Sequence, residues 1–156
     1  LFTDYYKDPE KTRAVMTEDG WLRTGDIGAL DAQGRLSFRG RLKDMLKVGG
    51  ENVAALEIEG LLLTHPAVKM AQIVGAPHDR LGEVPAAFIE LSEGAHCGEE
   101  EIIEFCRDNI ASFKVPRIVR FVEQWPSSAT KIQKFKLVEL LARPQPLSAF
   151  NEAADE

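Results

Sequence analysis

Arg41, Lys43 and Lys47 place three cations directly ahead of the turn sequence Gly49-Gly50-Glu51-Asn52. Glycines let backbone N–H groups approach phosphate oxygens, and neighbouring cations complement the charge of a phosphorylated ligand. The same composition also describes a basic hairpin on a solvated surface. Two further segments add chemistry. Upstream, Gly20-Trp21-Leu22-Arg23-Thr24-Gly25-Asp26 sets a carboxylate behind a Thr-Gly turn. A carboxylate accepts two hydrogen bonds, the number that a pair of vicinal hydroxyls donates, but an Asp there can also simply cap the turn. Downstream, Ala129-Thr130-Lys131-Ile132-Gln133-Lys134 puts a lysine in a polar, turn-rich stretch after Trp125-Pro126-Ser127-Ser128.

The order and spacing of these segments resemble the C-terminal end of the adenylate-forming (AMP-binding) enzymes. That superfamily includes acyl-CoA synthetases, the adenylation domains of peptide synthetases and beetle luciferases. The resemblance runs from about Tyr5 to Leu141, and three ordered motifs are more specific than any one of them. It implies that Asp26 binds the ribose of ATP or of an acyl-adenylate, with Arg41 beside it. Lys43 falls at the hinge, an Asp or Lys position around which the small domain turns between two half-reactions; a hinge needs only a few residues that absorb the dihedral change. Lys47 is similar to the lysine that faces the active site during thioester formation. Gly49, Gly50 and Glu51 resemble the loop beside the pantetheine channel, where glycine leaves room for a thin substrate arm.

Lys131 resembles the lysine of the family's Thr-Gly-Lys-Ile pattern. In adenylation a carboxylate attacks the α-phosphate and pyrophosphate leaves. An accurately placed ammonium offsets the negative charge that builds up. The family's glycine is missing here. Either it is deleted or Thr130 stands in its place; Pro126, Ser128, Ala129 and Thr130 align best with a deletion, which tightens the loop by one position. Lys134 and Lys136 read as solvated or as contacts to the phosphates of CoA.

The resemblance implies an ATP-dependent acyl-CoA synthetase for fatty or other organic acids, present as its C-terminal part and inactive alone. ATP and Mg2+ would bind mostly in a large N-terminal portion that carries the phosphate loop and acyl pocket. CoA would be the co-substrate. Residues 1–40 then end that large domain, 41–143 form the mobile domain, and 144–156 are a tail. A lid without its partner exposes an apolar docking face, so self-association is also expected. Two alternatives remain open: an adenylation domain that loads a carrier protein, and a non-catalytic α/β module that binds nucleotide or protein.

Composition fits this frame. The 156 residues suffice for one domain, or for a small domain and part of another. A net charge of −6 argues against nucleic acid as a partner. Cys97 and Cys106 lack metal-ligand spacing and read as free thiols of a reducing, cytoplasmic setting. No apolar run is long enough to span a membrane, and Leu1-Phe2-Thr3-Asp4-Tyr5-Tyr6 lacks the order of a signal peptide. The pattern opens abruptly at Leu1, as in a piece of a longer chain. His65, His78 and His96 lie in turns or at helix ends without a local base or metal partner, so no metal ligands are assigned. Trp21 and Trp125 read as packing residues.

The elements that must position these groups form a small α+β fold, a mixed sheet covered by helices and preceded by a hairpin. Asp8-Pro9 marks the start of a short helix or loop. Ile27–Leu30 and Arg35–Arg39 read as strands joined through Gly34. A strand over Leu42–Val48 turns through Gly49–Asn52 into a helix over Ala54–Thr64. Ala55, Ile58, Leu61 and Leu62 share one side of that helix, and the cost of Gly60 must be met by burial. Val68–Gly75 and Ala86–Leu91 read as strands separated by Ala76–Glu83. Glu99–Ile110 reads as a helix with a stripe of Ile102, Ile103, Cys106 and Ile110. Ile118–Val122 reads as a strand and Lys136–Leu141 as a short helix.

Overall fold

The structure is a computed structural model that describes residues 2–128 and 131–142. The chain divides between Lys43 and Asp44 into two compact units.

The first unit opens with helix α1, Pro9–Val15. Asp8 caps it by accepting the Lys11 N–H at 2.9 Å, and Pro9 stands where a missing N–H does no harm. Strands β1 (Asp26–Leu30) and β2 (Leu36–Arg41) then form an antiparallel hairpin. Its turn is built by Asp31, whose Oδ1 accepts the N–H groups of Gln33 and Arg35 at 2.9 Å each. Gly34 supplies the positive φ, +76°, that the turn needs.

The second unit runs through β3 (Met45–Val48), β4 (Glu51–Ala54), α2 (Ala55–Leu62), β5 (Val68–His78) and β6 (Gly82–Leu91). It continues through α3 (Glu99–Asn109), β7 (Ile118–Phe121), β8 (Ser127–Ser128), β9 (Lys131–Ile132) and α4 (Lys134–Ala142). Five strands make one sheet in the order β4-β3-β6-β5, with β7 running parallel to β6 and the other pairs antiparallel. The architecture is the expected α+β class.

The sheet is buried on both faces. On one, Ala71, Ile73, Ala87 and Ile89 pack with Ile58 and Leu62 of α2 and Ile102 and Cys106 of α3. On the other, Val74, Ala76, Ala86 and Phe88 pack with Leu137 of α4. Alternate residues therefore enter two separate cores, which is why β5 and β6 read as continuous apolar runs. Ile58, Leu62, Ile102 and Leu137 are fully buried. Each contributes about 1.5–3 kcal/mol by leaving water.

Several elements differ from expectation. Leu42–Asp44 is a 3-10 turn and not strand, so β3 begins at Met45. The turn after β3 needs only Gly49-Gly50, since Glu51 and Asn52 already pair with Val48 and Lys47. The expected separator Ala76–Glu83 is largely strand: Pro77 pairs with Glu83 and His78 with Gly82. Pro77 is tolerated because β5 lies on the sheet edge. Helix α4 begins two residues earlier than expected. In α2, Glu59 joins Ala55, Ile58 and Leu62 on the buried side, while Leu61 is only partly buried and Gly60 is exposed.

Candidate functional site

In the first unit, β-pairing brings Asp26 and Arg41 into register from fifteen positions apart. Arg41 Nε donates to Asp26 Oδ1 at 3.0 Å, and the same guanidinium donates to the Thr24 carbonyl at 3.3 Å. The Asp26 N–H donates to Thr24 Oγ1 at 3.1 Å. Gly25 turns the chain with φ +74°, and its carbonyl accepts the Leu42 N–H at 2.8 Å. A concavity of about 350 Å³ is lined by Thr24, Gly25, Arg41, Leu42 and Lys43. Both members of the Asp26–Arg41 pair stay exposed, so the pair adds little stability, about 0–1 kcal/mol. Its effect is orientation: one carboxylate oxygen is engaged, and the other accepts no hydrogen bond among the described residues.

In the second unit, Lys47 sits exposed on β3 between Leu46 and Val48, each 3% exposed. Pairing with β6 extends only to Val48 opposite Gly82. Where that ladder stops, Glu83 Oε2 accepts the Lys47 N–H at 2.9 Å. Gly75 makes room for Glu83, since a Cβ there would lie 3.0 Å from its carboxyl carbon. Gly49 and Gly50 have φ +60° and +92°, the signs that a two-residue hairpin of the primed type demands. The Gly49 N–H donates to the Leu81 carbonyl at 2.8 Å. It is therefore not free to bind phosphate, contrary to one reading of the Gly-Gly pair. Gly50 faces open space and Glu51 is exposed.

Lys131 is exposed at the start of β9, in a two-residue ladder with β8: Ser128 opposite Lys131, Ser127 opposite Ile132. Ala129 and Thr130, where the family's glycine is missing, lie outside the described residues, as does the tail from 143 onward. Neither Lys47 nor Lys131 offers its ammonium to a hydrogen bond or salt bridge among the described residues. Lys134 behaves otherwise and corrects its reading as a solvated or CoA-contacting residue. Its Nζ lies 2.6 Å from Glu59 Oε1 and 3.3 Å from the Ile73 carbonyl. Neither Glu59 nor Glu83 was singled out by the motifs. Glu59 carried no signal beyond its helical neighbours, and Glu83 only its place in a turn-like run.

Trp125 also has a specific partner. Its Nε1–H donates to Glu90 Oε2 at 2.6 Å, and Glu90 pairs with Lys69 as well. The Lys69 and Trp125 hydrogen bonds hold the Glu90 carboxyl below its ordinary value of 4.5.

One group has potential metal ligands within reach of each other: His65, Cys97 and Glu101, with ligand atoms within 4.8 Å. Its chemistry argues against an ion. His65 Nδ1 accepts the Ala67 N–H at 3.2 Å, so the neutral ring carries its proton on Nε2, the nitrogen facing Glu101 at 3.6 Å. A protonated nitrogen is not a ligand. Burial, then the hydrogen bond and charge of Glu101, push the Cys97 thiol up to about 11. Mg2+ in particular wants near-octahedral oxygen ligands, which this cluster does not supply. Among the described residues no other such cluster occurs.

Comparison with known proteins identifies the family. Residues 57–131 match the family model described as the AMP-binding enzyme C-terminal domain. Medium-chain acyl-CoA ligase ACSF2, mitochondrial, of Danio rerio is 47% identical over 89% of this chain and 23% of its own length. The chain thus spans about a quarter of the length of the curated relatives it matches. ATP-bound MatB from Rhodopseudomonas palustris superposes with a TM-score of 0.83 at 34% identity, covering 90% of this chain and 28% of that one. o-Succinylbenzoate CoA synthetase from Bacillus subtilis, in complex with its acyl-adenylate intermediate, gives 0.79 at 32%, covering 86% and 27%. The chain belongs to the adenylate-forming (AMP-binding) enzymes and carries their C-terminal domain.

Proposed function

We propose that the chain is the C-terminal part of an ATP-dependent, AMP-forming acyl-CoA synthetase. The observation that carries this reading is the pair of exposed lysines, Lys47 and Lys131, on separate hairpins of one unit in a chain related to acyl-CoA ligases. The first step joins a substrate carboxylate oxygen to the α-phosphorus of ATP and breaks the bond to pyrophosphate. Lys131 offsets the charge that gathers on the phosphate and carboxylate oxygens. In the second step the CoA sulfur attacks the acyl carbonyl, its proton is lost, and AMP leaves. Lys47 faces that step, beside the open Gly50. Asp26 accepts the ribose hydroxyls, and Arg41 holds its carboxylate in place from the side. Lys43, the last residue of the first unit, is the hinge between the two arrangements. Such a turn lets one centre perform two reactions.

The test uses the full-length protein. Lys131→Ala should lower adenylation, read as acid-dependent ATP–pyrophosphate exchange, by about 10²–10³-fold. Thioester formation from supplied acyl-adenylate should survive. Equal loss in both steps rejects the division of labour. The 156-residue chain, produced alone, should form no acyl-CoA. Offering CoA against a phosphopantetheinylated carrier protein identifies the acceptor.

A further inference from the structure

We propose that Glu59 and Lys134 are positioning residues for Lys131: their ion pair, seated on the sheet edge, anchors the segment that carries it. The inference rests on the adenylation reading of Lys131.

Strand β9 pairs with β8 through two residues only. A ladder that short cannot fix a side chain by itself. The hairpin is held at its base instead. Gln133 N–H donates to the Pro126 carbonyl at 2.7 Å, closing entry onto exit. At the entry, Trp125 is tied to Glu90 of β6. At the exit, three residues beyond Lys131, Lys134 begins α4 and reaches Glu59 of α2.

The exit anchor is built into the fold. Glu59 is 8% exposed. Its Oε1 accepts both the Lys134 ammonium and the Ile73 N–H, the latter at 2.8 Å. Lys134 also donates to the Ile73 carbonyl. Ile73 lies on edge strand β5, so the pair satisfies both outward-facing backbone groups of one residue. Three elements, α2, β5 and the start of α4, thereby meet at one carboxylate. Removing either partner leaves a largely buried charge uncompensated. The ladder between β8 and β9 is too short to absorb the resulting shift, which passes to Lys131. An error of about 1 Å in the placement of a reacting group can slow a reaction about 100-fold.

The test measures both half-reactions in the full-length protein for Glu59→Gln, Lys134→Met and Lys134→Arg. Lys131→Ala serves as benchmark. Lys114→Met is the control, because Lys114 pairs with Glu57 elsewhere on α2. Glu59→Gln and Lys134→Met should lower the adenylation kcat by at least about tenfold. KM for the acid and thioester formation from supplied acyl-adenylate should stay within about twofold. Lys134→Arg should restore most of the loss. Glu59→Gln keeps an acceptor for the Ile73 N–H and decides the matter if Lys134→Met does not fold. Equal loss in both half-reactions, the same loss in Lys114→Met, or unchanged adenylation while Lys131→Ala abolishes it overturns the positioning role alone. Adenylation that survives Lys131→Ala overturns the reading of Lys131, and the inference with it.

Discussion

The β3–β4 hairpin and the β8–β9 hairpin each present an exposed lysine, but they hold it by different means. Lys47 stands on a four-residue strand of the main sheet, between two side chains sunk in the core, beside a turn fixed by Gly49-Gly50. Lys131 stands on a two-residue strand outside that sheet, tied down by Trp125–Glu90 on one side and Lys134–Glu59 on the other. The first lysine inherits the rigidity of a backbone ladder. The second depends on side-chain contacts with α2, β5 and β6. Lys131 should therefore respond to substitutions far away in sequence, whereas Lys47 should respond mainly to changes in its own hairpin and in Glu83.

The sharpest way to separate the two is to loosen α4. Leu137 is fully buried against β5 and β6 on the α4 face of the sheet. Leu137→Ala should cost about 2–5 kcal/mol in denaturant unfolding. In the full-length enzyme below its melting temperature it should impair adenylation more than thioester formation. The converse perturbation is Gly49→Val. It puts a β-branched residue at φ +60° with a Cβ 3.1 Å from Leu81 Cδ2. The expected loss is about 1–3 kcal/mol, and here thioester formation should suffer first. Loss of the same half-reaction in both variants would break the contrast.

Acid offers a third, reversible handle. Because the folded-state carboxyl of Glu90 is held below its ordinary value of 4.5, it adds stability that is complete above that pH. The contribution is lost as pH falls through the folded-state value. Trp125 fluorescence, followed in a Trp21→Phe background as pH falls below 4.5, should report release of the indole before global unfolding. Glu90→Gln should remove that early phase. The smallest effect belongs to Gly60, exposed in α2, where an added methyl group would meet nothing within 4 Å. Gly60→Ala should raise stability by about 0.5–1 kcal/mol and leave both lysines undisturbed.

Features governed by near neighbours were legible in the sequence. Asp8-Pro9 opens α1, Gly34 turns the first hairpin, and the stripe through Ile102 and Cys106 faces the core. The motif residues Asp26, Arg41, Lys47 and Lys131 could be named on resemblance. The run Ala76–Glu83 reads as a separator in the sequence, yet Pro77 pairs within β5, which only the assembled sheet shows to be an edge strand able to hold a proline. Lys134 reads as solvated or as a contact to the phosphates of CoA, because its partner lies 75 positions away.

Helix starts, turn glycines and apolar periodicity belong to the chain itself: they follow from steric limits and hydrogen bonds within a few residues, which any short segment carries with it. Which charges become neighbours was decided only by the packing of α2, β5 and α4. An ion pair forms where folding has already removed water and brought two remote side chains within reach, and no local pattern encodes that distance. Glu59 and Lys134 meet, and Lys47 and Lys131 stay exposed, for that reason.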